Sequence, residues 1–108
     1  MNAKEFVACW RREKDCLLDT FTDPAGESAV AKEIASLDLT SEQQAKLKGI
    51  LDCILTDTLY TMLLGLDGEA NIGGIQSPYK IHDEEGNVIS PCSEIEAEAW
   101  KQFHGEKK

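Results

Sequence analysis

The stretch that decides the fold runs from residue 40 to residue 66 and reads TSEQQAKLKGILDCILTDTLYTMLLGL. It opens on Thr40-Ser41-Glu42-Gln43, the pattern of a capping box, which places the Thr40 hydroxyl to accept from the backbone N–H of Gln43. From there to about residue 64 only Gly49 interrupts the helix, and a glycine inside a helix is tolerated at about 1 kcal/mol. Leu47, Leu51, Ile54, Thr58 and Met62 recur at helical spacing and make one stripe, bordered by Ile50 and Leu55. In the second half Leu59, Tyr60, Leu63 and Leu64 point away from that stripe. A helix apolar nearly all round is buried on several sides. A long central helix over about 41–64 is therefore expected, with the rest of the chain folded around it.

On its N-terminal side, residues 3–21 read as an amphipathic helix. Phe6, Trp10, Leu17 and Phe21 form its apolar stripe, with Val7 and Leu18 beside them. Arg11-Arg12-Glu13-Lys14 reads as part of the wet side. Thr22-Asp23-Pro24-Ala25-Gly26 breaks the chain, because proline disfavours a helical residue before it. A short second helix over about 27–36 is expected to bury Val30, Ile34 and Leu37.

On the C-terminal side, residues 66–74 form a loop by composition. Residues 75–83 and 88–90 then read as two strands of a hairpin, joined by Glu84-Glu85-Gly86-Asn87. Tyr79 and Ile81 alternate with Lys80 and His82 at the period of two expected of a half-buried strand. Pro91 ends the second strand. Ser93-Glu94-Ile95-Glu96 matches a second capping box, opening a last helix that buries Ile95, Ala99, Trp100 and Phe103. Residues 106–108 read as a frayed tail. The sum is one mainly helical α+β domain over residues 1–108, with about four helices and a β-hairpin at about 75–90 in the C-terminal half.

The net charge of −9 is unevenly distributed. Residues 1–51 hold nine acids and seven bases, whereas residues 52–98 hold ten acids and only Lys80 as a base. Binding to nucleic-acid phosphates needs clusters of Lys and Arg, so direct nucleic-acid contact is not expected. The longest uncharged apolar stretch, residues 59–66, is broken by Thr61 and Gly65 and falls short of the roughly 20 residues that span a bilayer. No secretory signal precedes Glu5 and Arg11, and the chain reads as cytoplasmic. Cys9, Cys16, Cys53 and Cys92 contain no C-x-x-C pair. On one helix Cys9 and Cys16 stand about 10.5 Å apart along the axis, too far for a disulfide. Free thiols acting mostly as small core hydrophobes are expected.

No catalytic signature is present. Asp67, Glu69 and Asn71 alternate as calcium ligands do, but Ile72 and Pro78 stand where an EF-hand needs glycine and glutamate. Gly73-Gly74 lacks the spacing of a phosphate loop and reads instead as part of a turn after the helix. His82 beside Asp83-Glu84-Glu85 has no nucleophile motif with it. No catalytic residue, metal or cofactor is assigned. Two candidate sites remain. Asp83, Glu84, Glu85, Glu94, Glu96 and Glu98 form an expected acidic face for a basic protein partner, as in an inhibitor or immunity-type protein that caps a nuclease or toxin. Asp57, Tyr60, Asp67, Asn71 and Tyr79 form a candidate polar pocket for a small ligand. A third reading is a helical adaptor that self-associates as a homodimer through the apolar residues of the long helix.

Overall fold

The computed structural model describes residues 1–105; the tail expected at 106–108 lies outside them. Four helices run Ala3–Thr22 (α1), Ala29–Ala35 (α2), Ser41–Leu66 (α3) and Glu94–Trp100 (α4). Two short antiparallel strands, Ile81–His82 (β1) and Val88–Ser90 (β2), lie between α3 and α4. The fold is mainly helical α+β, with the hairpin in the C-terminal half.

Local chemistry fixes most of the boundaries. Thr40 and Gln43 make the expected capping box at the start of α3. Asn2 and Glu5 make a second one at α1. At the far end of α3, Gly68 takes a positive φ of 78°. The amides of Gly68 and Glu69 return to the carbonyls of Gly65 and Leu64, a Schellman closure. Gly73 and Gly74, both at positive φ, then turn the chain so that Ile72 and Ile75 exchange two backbone hydrogen bonds. Two successive residues of positive φ are what a tight type I′ turn requires.

The core lies at one end of the molecule. Ala3 and Val7 of α1, Leu63 of α3, Ile89 of β2, and Ile95, Ala99 and Phe103 pack together. Phe6, Trp10, Leu59, Tyr60, Leu64 and Ile81 close around them. Residues 101–105 continue α4 as a π-helical turn. Residues four apart drift about 40° around an ordinary helix, and the wider π turn removes that drift. Phe103 therefore stays in line with Ile95 and Ala99.

Several expectations change on this scaffold. The first strand is two residues long rather than nine, and residues 76–80 have no ladder partner. Trp100 is 58% exposed because, at about 100° per residue, it lies off the side of α4 that buries Ile95 and Ala99. In α2 the buried residue is Ala31 and Ile34 is half-buried, while Val30, and Leu37 beyond the helix end, face solvent, because this short helix meets only α1 broadly. Cys16 and Cys53 are exposed thiols rather than core residues, and all four cysteines are free. Lys14, expected on the wet side of α1, is only 6% exposed. It continues the inner series Ala3, Val7, Trp10, Lys14 at spacings of four and three, where its ammonium pairs with Asp52 of α3.

The largest change concerns the face of α3. Its inner side carries Asp52, Thr56, Leu59 and Leu63 against α1 and the core. Of the stripe expected to be buried, Leu47 and Leu51 are half-buried, whereas Ile54, Thr58 and Met62 are exposed, as is the bordering Ile50. By length and composition alone α3 also passes as a helix that could cross a membrane. Here its inner side is tied to α1 by an ion pair and by core packing instead.

Candidate functional site

The acids expected to form one face have different roles. Asp83 is turned inward: Oδ1 accepts from the amides of Glu85 and Asn87, and Oδ2 from the Asn87 side chain and the Met1 ammonium. The ammonium, then the Asn87 contacts, hold its carboxyl well below the usual carboxylate range. The same contact raises the amine above its ordinary 8.0. Asp83 thus holds the hairpin loop and ties it to α1. Glu98 is half-buried and accepts from Gln102, whose amide also donates to the Lys4 carbonyl. Lys101 lies 3.8 Å from its carboxylate. Glu96 is half-buried, and Glu84, Glu85 and Glu94 are exposed. Asp83 thus reaches the chain terminus just before α1, and Gln102, which Glu98 accepts from, reaches the first turn of α1.

The five residues of the candidate polar pocket are not brought together. Asp57 is exposed on α3, ten residues from Asp67, or about 15 Å along the helix axis. Asn71 and Tyr79 are exposed. Tyr60 is half-buried, its ring 4.6 Å from that of His104 and 6.5 Å from that of Trp100.

Asp67 is only 3% exposed and fully engaged. Oδ1 accepts from the amide of Cys92 at 2.9 Å and Oδ2 from the amide of Glu96 at 3.2 Å. The Ser90 hydroxyl, 2.6 Å from the Leu66 carbonyl, also reaches Asp67. Asp67 is therefore the cap of α4, supplied from the end of α3. The expected Ser93 capping box does not form: Ser93 makes no side-chain cap bond and stands at φ 65°. A self-capping residue needs extended backbone geometry, which this left-handed residue lacks.

Two surfaces remain. A cavity of about 400 Å³ opens between the end of α1, α2 and the first turns of α3, lined by Phe21, Ile34, Leu39 and Leu47 with polar Thr22 and Gln44. The second is the outer face of α3, a shallow depression formed by Ala45, Lys46, Gly49, Ile50, Cys53, Ile54 and Asp57. Ile50 is 47% and Ile54 52% exposed, and a Cβ on Gly49 would meet nothing within 4 Å. The apolar period of α3 was legible in the sequence, but which flank stays open depends on where α1 and α4 land. Among the described residues no group of three or more His, Cys, Asp or Glu is placed to hold a metal. No protein-family model, curated protein or solved structure matches this chain.

Proposed function

We propose that this protein is a non-enzymatic protein-binding domain whose binding element is the outer face of α3. One observation carries this reading: Ile50 and Ile54, with Cys53 between them, stand in solvent on a helix whose opposite side is already packed. Single exposed apolar residues are ordinary, but a continuous apolar face on a long helix is characteristic of an interaction site. Helix faces of this kind engage partners through residues spaced three and four apart.

A second reading, the acidic partner that caps a basic surface such as that of a nuclease or toxin, is supported by exposed Glu84, Glu85 and Glu94. Asp83 and Glu98 contribute less to it, because their charges are engaged within the chain. One experiment tests both readings. The wild-type chain, Ile54→Lys and the charge reversal Glu84→Lys/Glu85→Lys/Glu94→Lys are each used to capture partners from native lysate at low and high salt. Loss of the captured protein with Ile54→Lys at both salts is the expected result. Loss with the reversal and with high salt alone would favour the acidic surface instead. Capture unchanged by either variant would defeat both.

A further inference from the structure

We infer that the occupant of the α3 face is a second copy of the same chain, with the two α3 helices antiparallel and their two-fold axis beside the Leu51–Asp52 peptide. This rests on the reading of α3 as the binding element and names its partner. At about 100° per residue, Lys46, Ile50, Cys53 and Asp57 lie within one arc of about 60°, turned about 120° from the side that packs on α1. Their spacing of four, three and four is that of a helix-pairing seam.

The seam is self-complementary only when reversed. Antiparallel pairing about that axis sets Lys46 opposite Asp57 of the other copy, at both ends of the seam. Ile50 then faces the other copy's Cys53, twice, across the middle. Ile54 lies along one edge, and Gly49, open on its outer side, lets the backbones approach. A parallel pairing would instead stack Lys46 on Lys46 and Asp57 on Asp57.

Charge supports the same occupant. The chain carries −9 overall, yet residues 45–57 hold Lys46 and Lys48 against Asp52 and Asp57, and sum to zero. This face can meet its own copy without local repulsion, which the acidic remainder of residues 52–98 cannot. Neither Lys46 nor Asp57 has an ion-pair partner among the described residues. One helix pair buries less than the roughly 1,200–2,000 Å² of a standard interface, so the expected dissociation constant is on the order of micromolar.

The test is sedimentation equilibrium of the full chain from low micromolar to several hundred micromolar, under reducing conditions. A monomer–dimer equilibrium is expected. Lys46→Glu and Asp57→Lys should each weaken it roughly tenfold, since each reversal acts at both ends of the seam. The double swap Lys46→Glu/Asp57→Lys should restore it. In a Cys16→Ser background, a short bismaleimide should link two chains through Cys53, and Cys53→Ser should abolish the link. A monomer at every concentration overturns the inference. So does a dimer that the swap does not rescue, or one that does not crosslink through Cys53. Binding to phosphatidylcholine vesicles that is lost with Ile54→Lys, in a chain monomeric in water, overturns it in favour of a lipid surface. Failure here leaves the broader role of the α3 face standing, since that falls only if Ile54→Lys leaves capture of other proteins unchanged.

Discussion

At the scale of single residues, Asp67 and Ser93 exchange the roles that their neighbours suggest. Asp67 is a buried carboxylate that accepts the amides of Cys92 and Glu96, and charge-assisted bonds of this kind are roughly twice as strong as neutral ones. Removing the acceptor leaves those amides without it and also removes a negative charge from the positive end of α4. Asp67→Ala should therefore lower stability by about 2–4 kcal/mol in urea unfolding. Ser93→Ala should change it by less than about 0.5 kcal/mol, because its hydroxyl caps nothing. A self-capping serine would instead lose about 0.5–2 kcal/mol, so the pair of measurements decides which residue is the cap. Local spacing shows a capping box at residues 93–96. It does not show that the chain enters α4 through a left-handed residue, nor that an acid 29 positions before Glu96 returns to the same amide.

Asp83 adds a pH dependence with a definite sign. Its carboxyl is depressed in the folded chain, so its stabilising effect is present above the ordinary value of 3.8 and is lost as pH falls below it. The Met1 amine is raised, so its share is present below 8.0 and is lost as pH rises through the raised value. The difference in melting temperature between the wild type and Asp83→Asn should be largest from about pH 4 to 8 and shrink on both sides. A difference that does not shrink between pH 8 and 10 would show that the ammonium contact adds nothing, leaving Asp83 only its turn-holding bonds, whose effect is lost on the acid side alone.

At the scale of elements, α1 and α3 join through an ion pair whose two ends are unequally buried. The Lys14 side chain is 7% exposed and that of Asp52 41% exposed. Removing the Asp52 carboxylate leaves a buried ammonium with the exposed Asp15 carboxylate, 3.8 Å away, as a weaker counter-ion, whereas removing the ammonium leaves a carboxylate that reaches water. Asp52→Ala should therefore cost about 1–3 kcal/mol in chemical unfolding, and Lys14→Met distinctly less. Equal losses would mean that the pair behaves as an exposed one. The sequence made α1 legible as a helix through Phe6, Trp10, Leu17 and Phe21, but it put Lys14 on the wrong side. Periodicity ranks residues by hydrophobicity, whereas burial follows the position in the 3, 7, 10, 14 series whatever residue occupies it. A lysine is accommodated there because its long apolar stem packs while its head meets Asp52. The same limit explains α3, whose helical span was legible from its cap and its apolar period. A helix apolar on most sides does not declare which flank its neighbours will leave open.

At the scale of the whole molecule, the radius of gyration is 16.3 Å and the longest dimension 47 Å, where a compact chain of this length would have a radius of about 13 Å. The excess follows from where the core lies. Ala3, Val7, Leu63, Ile89, Ile95, Ala99 and Phe103 hold one end together, while the other consists of α2 and the first turns of α3, with Ala31 as its buried apolar residue. Local opening free energy follows buried contact, so backbone amides at 29–35 and 43–50 should exchange faster than those at 59–66 in dilute solution. Uniform protection along α3 would contradict this division. Self-pairing adds a second dependence that the fold alone cannot produce. Raising the protein concentration through the micromolar range should slow exchange at 46–57, where the seam is covered, and leave 29–35 unchanged, because linkage stabilises only the surfaces that the second copy touches.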